Sequence, residues 1–358
     1  MREFKELLKD VDKGILGKNL GIPTGFKELD KNTNGIQKSI YTLLGGNSGT
    51  GKTSYVDLAY VLNPYEYLLN TETDFKLKII YNSMERNTKY KLAKWTCLKL
   101  FKDKNIVMDV PTLFQWQGAK YALNAELRVL IAECEAYFEK MTDTVTIYSG
   151  AENPTGIYCK AVNLAKERGK IVEVSQYEKK YIPNDDNLIM LIINDHVGKC
   201  KPEVNDGIRL TEKALLDKHT EYMGIIRDFY GMSIVDISQF NRSISNIERF
   251  KNKTVSPEPD DFKGSGDMYE NADLVLALFN PYKLKIEDYL GYEINKFVSP
   301  NGENRFRSMS VLKNSYGADD IIIGMNFLGE NGYFRELPNS DYFKKNPDKY
   351  IKAAQFTN

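Results

Sequence analysis

A phosphate-binding loop is the segment whose residue types and spacing point most directly to chemistry. Residues 46–53 fit the pattern G-x-x-x-x-G-K-[ST] and follow an apolar run at residues 40–44. In such a loop, glycines let backbone N–H groups face phosphate oxygens, Lys52 reaches the β and γ oxygens, and the Thr53 hydroxyl is placed for Mg²⁺. The pattern predicts ATP and Mg²⁺ as cofactors. The predicted nucleotide-binding residues are Gly46, Asn47, Ser48, Gly49, Thr50, Gly51, Lys52, Thr53 and Ser54.

Three polar side chains follow predicted strands and could complete a hydrolytic site. Asp195 ends the apolar run at residues 188–193, which suits a carboxylate that holds Mg²⁺ through water, and a loop-capping aspartate is the alternative. Glu85 follows a predicted strand at residues 77–81 and is the predicted general base, with a helix-start glutamate as the alternative. Gln239 ends another strand, where its amide can donate and accept beside a nucleotide or satisfy loop backbone.

Apolar runs alternate with helical patterns and predict the elements that position these side chains. Strands are predicted at residues 40–44, 77–81, 145–148, 188–193, 233–238, 274–279 and 308–312, and helices at 54–59, 87–103, 119–140, 155–168 and 211–230. This alternation after a phosphate loop predicts an α/β ATPase core with a mostly parallel central sheet flanked by helices. Residues 63–78 are predicted to form a surface insertion and residues 170–183 an extra hairpin.

Composition limits the partners and the compartment. Lys plus Arg and Asp plus Glu number 49 each in 358 residues, so no global basic field attracts a polyanion and any nucleic-acid contact must be local. The four cysteines are scattered without a C-x-x-C pair, which predicts free thiols rather than a zinc site or disulfides. No signal region or long apolar run is present, so we expect a cytoplasmic protein without a membrane partner.

The order of the motifs resembles that in the C-terminal motor domain of DnaB-like replicative helicases, which are RecA-type hexameric ring motors of superfamily 4. The motifs are residues 21–26, the phosphate loop, residues 82–85, Asp195, residues 238–242, and residues 264–266 with 271–274. The resemblance extends over about residues 15–335 and is closest to a bacteriophage version. It implies a RecA-like fold in which Glu85 polarises the attacking water, Asp195 holds Mg²⁺ and Gln239 senses the γ-phosphate.

The resemblance also implies a site for single-stranded DNA. Residues 261–266 match the central-channel loop that grips DNA phosphates, although read alone they form an ordinary Gly/Ser turn. A lysine supplies charge there, and glycines let backbone N–H groups approach the strand without reading its sequence. The implied DNA-binding residues are Lys263, Gly264 and Gly266.

Three departures from the family pattern concern the ends of the chain and the next subunit. Instead of a primase-binding domain, residues 1–20 form a linker helix and connector before the motor domain at 21–337 and a polar, solvated tail at 338–358. The helix has one apolar stripe and is expected to pack on a neighbouring subunit. Its apolar residues are Phe4, Leu7, Leu8 and Val11. His196, where the family has an aromatic residue, is interpreted as a packing variant.

The family's Lys-x-Arg-x-Gly pattern, which reaches the next subunit's ATP site, is altered here. Lys313 is retained, but Ser315 replaces the finger arginine. Arginine fingers contribute about 10³ to 10⁵ in rate in other nucleotide hydrolases, so the replacement affects the expected mechanism. Arg305 and Arg307 are the candidate substitutes, and the implied catalytic residues are Glu85, Lys52, Gln239 and Lys313.

These features predict an ATP-dependent replicative DNA helicase motor that translocates on single-stranded DNA as a ring. Its expected partners are single-stranded DNA, further copies of the chain in a hexamer, and a primase or helicase loader. One alternative is a RecA-like DNA-binding ATPase of recombination or packaging that does not unwind DNA. The other is a poorly hydrolysing, nucleotide-bound ring that loads or scaffolds replication proteins.

Overall fold

A nine-stranded sheet lies at the centre of the chain. The computed structural model describes residues 2–15, 19–205, 207–241, 244, 249, 255–262, 266–299 and 302–345. The strands are β1 (Tyr41–Gly46), β2 (Lys76–Ser83), β3 (Val145–Ser149), β4 (Gly169–Ser175), β5 (Glu178–Pro183), β6 (Leu188–Asp195), β7 (Val204–Asn205), β8 (Ile208–Arg209), β9 (Ser233–Ile237), β10 (Leu274–Phe279), β11 (Asp288–Tyr289), β12 (Tyr292–Glu293), β13 (Phe306–Asn314), β14 (Ile321–Leu328) and β15 (Tyr333–Glu336).

Helices connect most of these strands. They are α1 (Arg2–Ile15), α2 (Lys27–Thr33), α3 (Lys52–Val56), α4 (Asn63–Asn70), α5 (Thr88–Lys104), α6 (Val110–Leu113), α7 (Ala125–Met141), α8 (Pro154–Arg168), α9 (Glu212–Tyr230), α10 (Gly266–Asn271) and α11 (Ser340–Lys345). A π-helical segment, Asp57–Leu62, joins α3 to α4. Among the residues that the structure describes, no helix is both long enough and apolar enough to cross a bilayer.

The strand order is β15-β14-β13-β10-β1-β9-β6-β2-β3. The six strands from β10 to β3 pair in parallel, whereas β13, β14 and β15 extend the sheet with antiparallel pairs. Parallel neighbours need crossover connections, and helices in these connections cover both faces of the sheet. The predicted α/β class with a mostly parallel central sheet is therefore confirmed.

Alternating side chains of the central strands fill two apolar layers, one on each face of the sheet. On β1, Leu44 joins the layer that contains Tyr55 and Trp95, whereas Leu43 joins the layer that contains Met223 of α9. This alternation follows from the two-residue period of a strand. Because both faces are buried, β1 is apolar along its length, and its polar neighbours begin only where the phosphate loop begins.

Two expectations for the sheet and its helices are wrong. Residues 63–70 are helix α4 rather than part of a surface insertion, since Pro64 occupies the first turn, where proline is tolerated, and Tyr65 is buried. Strands β14 and β15 were not predicted, although their pairing with β13 completes one side of the sheet. The predicted hairpin at residues 170–183 is confirmed as the β4–β5 pair.

The two ends of the chain differ in how they pack. Helix α1 forms as predicted, and its apolar residues are between 48% and 63% exposed, so its stripe is not covered by the described part of this chain. In the tail, Phe343 of α11 is buried and stacks on Phe297 with ring centroids 5.3 Å apart, so the expectation of a solvated tail is wrong there. Residues 346–358 lie outside the described residues.

Candidate nucleotide-binding site

The phosphate loop joins the end of β1 to the start of α3. Gly51, directly before the helix, has a φ of 100°, and a Cβ there would lie 2.8 Å from the Phe334 ring, so glycine is required. The Lys52 ammonium donates to the carbonyl oxygens of Gly46 at 2.7 Å and Asn47 at 2.9 Å. Burial lowers the Lys52 pKa to about 8, against the opposing effects of Asp195 and Glu85. The ammonium is thus held inside the loop, where a phosphate group would face it.

Two further cations bind the same loop from its other side. Lys283 donates to the carbonyl oxygen of Ser48 at 2.7 Å, and Arg307 Nε donates to that of Thr50 at 3.0 Å. Burial lowers the pKa of Arg307 to about 10. Since a peptide's C=O and N–H point in opposite directions, these contacts favour loop N–H groups that face the phosphate cavity.

Asp195 lies where the ends of β6, β2 and α3 meet. Its Oδ1 accepts a hydrogen bond of 2.9 Å from the Thr53 hydroxyl, and its backbone oxygen accepts one of 2.8 Å from the Met84 N–H. The two predicted metal-binding side chains are therefore in direct contact. This arrangement fits Mg²⁺, which prefers oxygen ligands and is commonly held by few protein groups together with water and phosphate.

A buried ionic cluster lies behind Asp195. We call Asp57, Tyr81, Lys91 and Asp195 the Lys91 cluster. Lys91 is 2% exposed, and its ammonium lies 3.0 Å from Asp57 Oδ1, 3.3 Å from Asp195 Oδ2 and 2.6 Å from the Tyr81 hydroxyl. That hydroxyl lies 2.8 Å from Asp57 Oδ1 and 3.1 Å from Asp195 Oδ2, and it has one proton for the two carboxylates. Burial raises the pKa of Tyr81 well above its usual value, so the phenol stays neutral.

The sequence analysis missed three members of this cluster. Asp57 stands in an otherwise apolar helical run, and Lys91 precedes the buried Trp95 by four residues, which places both on the same helix face. A charged residue at each of these core positions was the available signal. Its partner is not encoded locally, because the two residues come from different helices.

Glu85 and Gln239 line a cavity of about 290 Å³ with Lys52, Thr53 and Asp195. The structure thus brings together four of the predicted catalytic and metal-binding side chains with the predicted general base. Gln239 has no hydrogen-bond partner for its side chain among the described residues, so its amide is available to a ligand. Glu85 itself is exposed to the cavity.

His196 also lines this cavity. It is buried, as expected of a packing residue, but neither ring nitrogen has a hydrogen-bond partner among the described residues. Burial lowers its pKa, which favours the neutral imidazole, although the charges of Glu85 and Asp195 oppose this shift.

A larger cavity of about 680 Å³ adjoins the phosphate cavity. The two share Gly49, Tyr90, Lys94 and Phe327 in their linings. Arg305 and Arg307 line the larger one, but both are buried and bind groups of their own chain, Arg305 through Glu330 at 3.3 Å. The expectation that one of them replaces the finger arginine toward a neighbouring subunit is therefore wrong.

The remaining predicted residues lie away from these cavities or outside the described residues. Lys313 ends β13, and its ammonium donates to the backbone oxygens of Glu270 at 2.7 Å and Tyr269 at 3.3 Å. Of the predicted DNA-binding residues, Gly266 begins α10, whereas Lys263 and Gly264 lie outside the described residues. Within the described part of the chain, no group of three His, Cys, Asp or Glu side chains could hold a metal ion by itself.

The charge balance of the Lys91 cluster leads to a prediction about stability. Lys91→Met leaves two buried carboxylates without their cation and should lower the free energy of unfolding by about 3–5 kcal/mol. Adding Asp57→Asn removes one of these charges and should recover part of the loss. Urea unfolding at pH 7 measures both, with Lys104→Met at the exposed end of the same helix as the control. A Lys91→Met protein that unfolds at the wild-type urea concentration would contradict this prediction.

No protein-family model matches the chain, and no curated protein matches its sequence. Among solved structures, it is similar to the ATPase domain of a DnaB-like helicase, with a TM-score of 0.67 and 15% identity over 93% of this chain and 98% of that chain. It is also similar to a DnaB-like replicative helicase studied for its interactions with primase, with a TM-score of 0.65 and 14% identity over 93% of this chain and 66% of the other. The chain therefore has the RecA-like fold of DnaB-like helicase ATPase domains, as the order of its motifs implies.

Proposed function

We propose that this chain is the motor subunit of an ATP-dependent replicative DNA helicase of bacteriophage type, which moves along single-stranded DNA as a hexameric ring in the cytoplasm. The observation that carries the proposal is the cavity at the ends of the parallel strands, where Lys52, Thr53, Glu85, Asp195 and Gln239 meet. Ligands of open α/β sheets bind at this edge. A phosphate loop alone would support nucleotide binding, but a carboxylate available as a base also supports hydrolysis.

Each residue has a part that follows from its position. Lys52 and the N–H groups of the phosphate loop bind the phosphates, and Lys52 remains charged once an anion lies beside its ammonium. Thr53 and Asp195 would hold Mg²⁺, which neutralises phosphate charge when bound. Glu85 accepts the proton of the attacking water, since it faces the same cavity and no neighbouring cation in the described part of the chain forms an ion pair with it.

Gln239 provides a route from the nucleotide to the DNA. Residue Phe240 forms a backbone bridge with Phe262, their rings lie 5.1 Å apart, and Asn241 N–H donates to the Asp261 oxygen at 2.7 Å. The segment that precedes Lys263 is thus tied to the residues that follow Gln239. A shift of the Gln239 amide on loss of the γ-phosphate would reach the DNA-binding loop through these contacts.

Ring formation is supported by the exposed stripe of α1. Its apolar side chains are unfavourable in water, and a neighbouring subunit would cover them. Lys313 would then approach the neighbour's ATP site, and a primase or loader would bind the assembled ring. Replacement of the finger arginine by Ser315 favours a second candidate function, a ring that binds ATP, hydrolyses it poorly and serves as a loader or scaffold.

Substitutions at the phosphate cavity separate nucleotide binding from hydrolysis. Lys52→Ala should abolish ATP binding, whereas Glu85→Gln should bind ATP and lose about 10²- to 10⁴-fold in turnover, because the base is needed only as water attacks. Calorimetry measures binding, and phosphate release with and without poly-dT measures turnover. Glu126→Gln, at an exposed glutamate of α7, is the matched control. Wild-type turnover by Glu85→Gln would move the base elsewhere, and a wild type that binds but scarcely turns over would favour the scaffold.

The helicase proposal predicts sequence-independent DNA binding through Lys263. Lys263→Ala should weaken binding of poly-dT and mixed-sequence oligonucleotides equally and reduce the slope of log K against log salt by about 1. Fluorescence anisotropy at several salt concentrations measures both, and Lys179→Ala on the β4–β5 hairpin is the charge-matched control. A loss that depends on base sequence would show that this loop reads bases.

Deleting residues 1–13 tests the role of α1 in the ring. The deletion should shift the assembly toward monomers, because it removes the stripe that a neighbour would cover. Native mass spectrometry and sedimentation velocity measure the assembly state. Leu7→Glu with Leu8→Glu should act in the same direction, whereas Lys5→Ala with Lys9→Ala, on the other face of α1, should not. An unchanged mass in the deletion would refute assembly through α1.

A further inference from the structure

Helix α5 presents a row of side chains to the nucleotide cavities. It begins three residues after Glu85, and its first turn is capped by Asn87, whose side chain accepts a hydrogen bond of 2.8 Å from the Tyr90 N–H. Residues spaced three or four apart share a helix face, so Tyr90 and Lys94 lie one above the other. Both line the phosphate cavity and the larger cavity. Helix α5 therefore forms a wall between the two.

Lys94 differs from the other buried cations of this region in what it binds. Lys52, Lys283 and Arg307 donate to loop carbonyls, and Lys91 donates to two carboxylates. The Lys94 ammonium has no hydrogen-bond acceptor and no ion-pair partner among the described residues. Burial lowers its pKa, the nearby positive charges of Lys91 and Arg86 lower it further, and the carboxylate of Asp57 opposes these effects.

A cation in such a position is unfavourable by itself. Removing an ammonium from water costs free energy unless an anion or an acceptor compensates, and here the protein supplies none in direct contact. The cavity that Lys94 lines also contains Lys52 and the phosphate loop, which bind phosphate in the proposed function. An anionic group of the nucleotide would provide the missing partner.

We propose that Lys94 is a catalytic residue that contacts the terminal phosphate of the bound nucleoside triphosphate and supplies, from the same subunit, positive charge that Ser315 cannot supply from the next one. This inference rests on the proposed function, since it concerns the same nucleotide. In hydrolysis, water forms a bond to the terminal phosphorus, its proton passes to Glu85, and the bond to the β-phosphate oxygen breaks. Lys94 stays protonated throughout and stabilises the charge on the terminal phosphate oxygens.

The proposal also explains the position of Lys94 relative to Glu85. The general base must face the terminal phosphate, because the attacking water lies between them. Helix α5 starts beside this base, so a cation on its inner face approaches the nucleotide from the same end. A lysine reaches a phosphate oxygen as a point charge without the fixed geometry that an arginine fork requires.

Thermal unfolding in the presence of each nucleotide tests the inference. Without nucleotide, Lys94→Met should unfold at the wild-type temperature or above it, because no bond to Lys94 is lost. Stabilisation by Mg²⁺-ATP should fall, while stabilisation by Mg²⁺-ADP should remain at the wild-type level. ATP turnover should fall by about 100-fold or more. A residue with only a structural role would instead lower the unfolding temperature without nucleotide and affect both nucleotides alike.

Two controls complete the experiment. Lys94→Arg keeps a cation and should retain most of the ATP-specific stabilisation, whereas Lys104→Met removes a charge from the exposed end of α5 and should behave as the wild type. If Lys94→Met responds to ATP and ADP as the wild type does, or loses both equally, the inference is wrong. If the wild type itself is stabilised by neither nucleotide, the proposed function fails instead, so the two failures are distinguishable.

Discussion

The contacts of the Asp195 carboxylate fix the geometry on which the rest of the site depends. Its two oxygens have different neighbours: Oδ1 meets the Thr53 hydroxyl, and Oδ2 lies against Tyr81 and Lys91. A carboxylate held on one side by a buried ammonium and a phenol cannot rotate freely, so its other oxygen keeps facing the first turn of α3. The buried charges are favourable because each has a partner, and this requirement ties two helices to two strands.

A polar chain across the sheet keeps the ends of these strands aligned. Tyr41, Asp236, Asn194 and Asn82 lie on four neighbouring strands, and their side chains are joined by hydrogen bonds of 2.7, 2.6 and 2.8 Å. A slip of one residue in any of these pairs would turn a polar side chain to the other face of the sheet. Since the same strands lead to the phosphate loop, Gln239, Asp195 and Glu85, a fixed register brings these residues to a single cavity.

The parts of the site that could be predicted from the sequence are those encoded over short distances. The phosphate loop is a run of consecutive residues, and Glu85 and Asp195 follow apolar runs that end in polar residues. The partner of Lys91 depends on how two helices and two strands pack, which no local pattern records. Helix α4 was missed because its polar composition suggested a surface loop, whereas β14 and β15 become strands through their pairing with β13.

The positions of the cations explain why an arginine near β13 does not take the place of the missing finger. Arg307 donates to the Thr50 oxygen and to two carbonyl oxygens beside its own backbone, and its guanidinium lies 5.0 Å from the centre of the Phe327 ring. To reach a phosphate in another subunit, it would have to leave a buried position and release the loop that binds the phosphate in its own. Bracing the loop and acting as a finger are therefore exclusive roles for this residue. Charge for the terminal phosphate must come from a cation that the fold leaves without an acceptor, and on the inner face of α5 that cation is Lys94.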